Sequence, residues 1–146
     1  MKEQFVSYEI ALKLKKLGFD ESCFAYYKPY YEKDVEGKDV ITYPMLCSFM
    51  QTIDEELKTF KYSELDSDSW DDYLLAPLWQ QVIDWFREVK NINVEVWYDN
   101  TQDDGFPWLY EIYIDNKEHQ HDGSYYDSFY EVREQAILKA FELIKK

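Results

Sequence analysis

Three short stretches gather side chains that could do chemistry. Asp66-Ser-Asp68-Ser-Trp-Asp71 resembles the opening of a calcium loop, in which oxygen ligands alternate along the first five positions, a glycine follows and a bidentate glutamate closes the ring. The places for the third oxygen, the glycine and the glutamate hold Trp70, Asp71 and Pro77, so the template fails three times. His119-Gln-His121-Asp122 is the one histidine cluster. In an extended chain both imidazoles would share a face that Asp122 could join, a set suited to zinc or another divalent ion, but no further ligand is fixed by sequence. Asp103-Asp104 could be offered as a general acid and base, yet 30 carboxylates in 146 residues guarantee neighbouring pairs, and such a pair carries no weight. Nucleophile elbow, P-loop, dinucleotide-binding glycines and zinc-protease helix are all missing from the sequence. No catalytic residue and no cofactor is expected.

Asp66, Asp68, Asp71, Asp72, Asp103 and Asp104 are read instead as acidic surface. Asp71 and Asp72 sit shortly before an apolar helical run, where carboxylates favour a helix's positive end. Formal charge is −14, and its placement is uneven. Residues 1–18 hold four Lys and two Glu, and residues 128–146 hold four basic and three acidic side chains, whereas residues 92–127 hold nine acidic side chains and a single Lys. The excess acid therefore lies in connections and hairpins. A phosphate-binding surface needs a basic stripe, and none is present, so direct nucleic-acid binding is not expected.

The elements that would position these residues follow from periodicity. Ser7 can cap a helix running to Leu17, with Ile10, Ala11, Leu14 and Leu17 as its apolar stripe, and Gly18 followed by Phe19 suits a Schellman ending against Leu14. Residues 24–31 and 40–43 are β-rich runs joined through Gly37, and Pro29 and Pro44 mark edges or strand ends. Phe49, Ile53, Leu57 and Phe60 recur at helical spacing, which predicts a short helix with Thr52 and Glu55 as its capping box. Pro77 suits a first helical position, and Leu78, Trp79, Val82, Ile83, Trp85, Phe86 and Val89 form one broad apolar face to residue 89.

Residues 92–98 and 108–114 alternate apolar and polar side chains around Asp104-Gly105, a second hairpin. Ser128 and Glu131 then open a last helix with Phe129, Val132, Ala136, Ile137, Ala140, Phe141 and Ile144 inward. Hairpins joined by amphipathic helices predict an α+β fold: an antiparallel sheet of about four strands, in two hairpins, with about three helices on one face. The length suits a single domain over residues 1–146, with 45–75 an acidic segment that covers the sheet or varies. If Ile92, Val94, Val96 and Ile112 meet the helices, Trp97, Leu109 and Tyr113 fall on the sheet's other face. Large side chains there suit a protein partner or a second copy of the chain.

Residues 5–20 (FVSYEIALKLKKLGFD), 76–88 (APLWQQVIDWFRE) and 130–145 (YEVREQAILKAFELIK) together resemble a group of small uncharacterised proteins from prophages and mobile elements of gut Bacteroidetes. The likeness covers about a third of the chain and consists of helix faces. It implies a bacterial or phage cytoplasmic protein and supplies no activity or site residues. In outline the last hairpin and helix also resemble the end of a double-stranded RNA-binding domain, but that module needs Lys or Arg where this helix opens with Asp127-Ser128 and Glu131.

Two cysteines without metal or disulfide spacing, no signal-like start and no long apolar run predict a cytoplasmic protein that does not enter membranes. Three functions are expected in order. The first is a non-enzymatic interaction protein working through the open sheet face. The second is an acidic mimic of nucleic acid that inhibits a DNA-binding enzyme, and the third is a small metal-dependent enzyme using His119, His121 and Asp122.

Overall fold

The computed structural model describes residues 2–41, 45–48, 59–65, 72–102, 105–115, 117–120 and 123–144. It is an α+β protein, with three α-helices and antiparallel strands among the described residues. The chain divides into two units, Met1–Trp79 and Gln80–Lys146.

In the first unit, α1 (Tyr8–Lys16) starts where Ser7 Oγ accepts the Ile10 N–H at 3.4 Å. It stops at Leu17, where the Phe19 N–H reaches Leu14 O at 3.0 Å and the Gly18 N–H reaches Lys15 O at 3.1 Å. These are the two bonds of a Schellman ending, and they need the left-handed backbone that Gly18 adopts at φ 81°. Leu14 and Phe19 are both buried, so the contact predicted between them anchors the turn in the core.

Three strands, β1 (Ala25–Lys28), β4 (Met45–Ser48) and β5 (Leu74–Ala76), form a sheet in the order β4-β1-β5. Strands β2 (Tyr31–Lys33) and β3 (Asp39–Ile41) form a separate two-stranded ladder. Lys28 pairs with Met45 and Tyr31 with Ile41, so the two ladders are successive stretches of one hairpin arm, one residue out of register. Pro29 lies at the break, where it has no N–H to give a ladder. The predicted first hairpin is thus real and longer than its sequence limits. Its returning strand β4 occupies the start of the segment read as a covering insertion, and β5 at that segment's end is buried throughout.

Helix α1 packs on β5, and Val6, Ile10, Ala11, Leu14, Leu75 and Ala76 make the core between them. The Val6 N–H donates to Pro77 O at 3.0 Å and the Tyr27 hydroxyl donates to Val6 O at 2.7 Å, closing the amino-terminal segment over the sheet. The helix predicted from Phe49, Ile53 and Leu57 lies outside the described residues. Phe60, counted in the same stripe, instead bridges Cys23 through paired backbone bonds.

The second helix, α2 (Trp79–Lys90), begins later than Pro77 predicts. Pro77 is buried just after β5, and Leu78 bridges Phe5, so the chain is still extended at the proline. As β5 intervenes, Asp72 lies well before the helix, whose first turn holds no acidic residue. Val89, placed in the apolar face by its spacing, is 55% exposed in the helix's last turn.

Asn91, in left-handed conformation at φ 54°, turns α2 directly into β6 (Ile92–Tyr98). Strand β7 (Trp108–Ile114) pairs with β6 and with β8 (Lys117–Gln120), in the order β6-β7-β8. The last helix, α3 (Phe129–Ile144), packs on β6 and β7. The Ser128 half of the predicted capping box forms, since Ser128 Oγ accepts the Glu131 N–H at 3.2 Å. Glu131's own carboxyl turns to Asp127, and this shared hydrogen bond, with burial and charge repulsion, raises its pKa. Val132, Ala136, Ile137, Ala140, Phe141 and Leu143 are buried, while Phe129 stays 39% exposed. Phe86 of α2 meets Phe141 of α3 edge to face at 5.1 Å, which holds the two helices together.

Candidate functional site

The register of β6 and β7 decides what the second hairpin presents. Ile92 pairs with Ile114, Val94 with Ile112 and Val96 with Tyr110; Asn93 pairs with Tyr113, Glu95 with Glu111 and Trp97 with Leu109. Successive strand residues point to opposite faces, so the first set shares one face and the second set the other. Ile92, Val94, Tyr110 and Ile112 are buried, and Trp108 on the same face touches Phe129 of α3 at 5.3 Å. The helix covers the part of that face formed by these buried residues, while Tyr98 at its end is 61% exposed.

Trp97, Leu109 and Tyr113 lie together on the opposite face, as their spacing predicts. Trp97 stands directly across from Leu109 and is 49% exposed, while Leu109 and Tyr113 are half-buried. Between them comes a pair that sequence reasoning passed over. Glu95, exposed, is opposite Glu111, half-buried, and the Tyr113 hydroxyl donates to Glu111 Oε2. Like charges directly opposed across a ladder work against folding. The signal was present in the sequence as a polar residue at the same place in each alternating run, but only the register brings the two together.

The structure also assembles an aromatic chain that the sequence reading left unconnected. Tyr98 meets Trp108 at 5.0 Å, Trp108 meets Phe129 at 5.3 Å and Phe129 meets Tyr130 at 6.0 Å, all edge to face. The Arg133 guanidinium lies over Phe129 and Tyr130 at 5.1 and 5.5 Å, one turn along α3. A cation over ring faces is attracted by their negative quadrupole, so Arg133 ties the rings to the helix.

Asp99 organises the loop between the strands: Thr101 donates to Oδ1 through its N–H at 2.9 Å and its hydroxyl at 2.6 Å, and Gln102 and the Tyr125 hydroxyl reach Oδ2. The Thr101 hydrogen bonds hold the Asp99 carboxyl below its ordinary pKa. This carboxylate is used in shaping the turn.

The other predicted residues are not brought together. Asp66, Asp68, Asp71, Asp103, Asp104, His121 and Asp122 lie outside the described residues. Asp72 is exposed in the first unit and accepts from Tyr31, whose phenol is raised by that bond. His119 falls in β8, at the irregularity where pairing shifts from Tyr113–Glu118 to Ile112–Gln120. Among the described residues no group of three or more His, Cys, Asp or Glu side chains could hold a metal ion. Cys23 is fully buried, and burial, with Glu21 and Asp20 adding to it, pushes its thiol up to about 12. It remains a neutral thiol at physiological pH, unsuited to nucleophilic catalysis. Among the described residues no helix is long and apolar enough to cross a membrane.

Comparison of the chain with protein-family models, curated proteins and solved structures finds no match.

Proposed function

We propose that this protein is a non-enzymatic accessory factor that binds a protein partner, or a second copy of itself, through the open face of β6 and β7. The observation that carries the reading is the pairing of a half-exposed Trp97 with Leu109 on the face turned away from α3. Tryptophan and tyrosine supply much of the energy of protein interfaces because they bury large rigid surfaces at small entropic cost. The helix-backed side of the same hairpin gives the face rigidity, which limits the ordering cost of binding. The resemblance of the helical segments to prophage and mobile-element proteins supports a bacterial cytoplasmic setting.

The test compares Trp97→Ala and Tyr113→Ala with the unaltered protein in sedimentation and in capture of partners from a bacterial extract. Association should fall by more than about tenfold in the Trp97 variant, as expected of a central aromatic anchor, and stay unchanged in Val40→Ala, an exposed site on the first hairpin. Association that survives both β6–β7 substitutions would sink the reading.

A further inference from the structure

We infer that the partner brings a lysine- or arginine-bearing segment to this face and sets a cation between Glu95 and Glu111. The inference rests on the open face being the binding surface and adds the chemistry of what it binds.

Four observations carry it. First, the register puts the two carboxylates directly opposite one another, about 5 Å apart at Cβ, an arrangement that costs stability unless a cation joins it. Second, β6 and β7 contain no Lys or Arg, and among the described residues neither glutamate forms an ion pair. Third, Trp97 follows Glu95 on the same face and Leu109 lies across from it, so the alkyl stem or the charged head of a basic side chain finds an apolar and aromatic bed beside the carboxylates. The Tyr113 hydroxyl meanwhile holds Glu111 in place. Fourth, residues 92–127 carry nine acidic side chains to one basic, a field that speeds encounter with a basic partner.

The same charges argue against a second copy as occupant. A two-fold interface would lay this patch on itself and crowd four glutamates together without a cation. Nucleic acid is repelled for the same reason. A basic protein segment is the occupant that relieves the repulsion.

The test uses the full chain on an array of random dodecapeptides, alongside E95Q/E111Q, W97A and sedimentation of each. The expected result is selection of peptides rich in Lys or Arg, binding about tenfold weaker in E95Q/E111Q and weakening as salt is raised. E95Q should also raise the melting temperature of the free protein by about 2 °C, because the opposed charge is gone. Loss of binding with gain of stability is a pair of signs that a merely structural glutamate would not give. Peptides without basic enrichment whose binding needs Trp97 but not the glutamates would overturn this inference and leave the open-face reading standing. So would a Trp97-dependent dimer with no peptide selected. Binding indifferent to all three substitutions, or no binding and no association at all, would overturn both.

Discussion

The two hairpins use the same antiparallel pairing and end in different kinds of surface. In the first, every residue from Tyr30 to Val40 is exposed, on both faces of the β2–β3 ladder. Its tip is held locally: Asp34 Oδ1 accepts the N–H groups of Glu36 and Lys38, each at 2.9 Å, Gly37 takes φ 81°, and Lys33 meets Asp39 at 2.9 Å. In the second, α3 packs on one face, while the other carries the half-exposed Trp97 beside the half-buried Leu109 and Tyr113. A two-stranded ribbon has marginal stability on its own, whereas a ribbon with one buried face gains the energy of a core. The first hairpin is therefore an arm and the second a platform. A surface residue on the platform has fixed neighbours, which is why Trp97 and the Glu95–Glu111 pair can be read as a site while Tyr30, Tyr31 and Val40 cannot.

The contrast predicts where substitutions will hurt. Ile112→Ala, at a fully buried position under α3, should lose about 3 kcal/mol in urea unfolding followed by tryptophan fluorescence. Val40→Ala, its counterpart on the arm, should change stability by less than about 0.5 kcal/mol. Equal losses at the two sites would break the distinction.

A second effect belongs to the first unit's core. The Cys23 pKa is raised from 9.0 to about 12 by burial, so the neutral thiol is favoured by folding and the thiolate by unfolding. The stability is fully present below about pH 9 and is lost progressively as pH rises towards 12, by an amount on the order of a few kcal/mol. Burial raises the Tyr62 and Tyr27 phenols in the same direction. Alkaline unfolding monitored by circular dichroism should accordingly be shallower in Cys23→Ala. At neutral pH a thiol reagent should modify Cys47, half-buried in β4, while leaving Cys23 protected until the unit unfolds.

Smaller still, Gly37→Val should cost about 1 kcal/mol, since a β-branched residue is strained at φ 81°. The loss should appear as faster amide exchange within residues 31–41, with the melting temperature of the rest unchanged. Trp97→Ala should shift stability least, by about 0.5 kcal/mol or less, because its side chain is half in solvent. A large loss from Trp97→Ala would show that it is part of a core and would weaken its reading as a contact for a partner.

Much of this was legible in sequence because it is local. Ser7, Gly18 with Phe19, and Ser128 announce helix ends through bonds made within a few residues, and all three ends form as their types require. Alternation in β6 and β7 correctly separated the helix-packed face from the face of Trp97, Leu109 and Tyr113. Pro77 misled because proline suits both a first helical turn and an extended edge, and the Val6 N–H donated to Pro77 O, with the bridge of Leu78 to Phe5, selected the second. Strand β8 was missed because its signal is only the two-residue connection Asp115-Asn116. Asp115 takes φ 51° there, and its side chain is held by Asn91, far away in the chain.

What the sequence determined by itself, then, is the α+β class, the helix ends and the two faces of the second hairpin, all consequences of periodicity and capping over short range. Only tertiary structure decided that β1 pairs with both β4 and β5, strands separated from it by long stretches of chain. It alone set Glu95 against Glu111 and joined Tyr98, Trp108, Phe129 and Tyr130 into one chain of rings. Such contacts depend on register and on packing between distant elements. A shift of one residue would leave the sequence pattern of either strand unaltered while dismantling the site it builds.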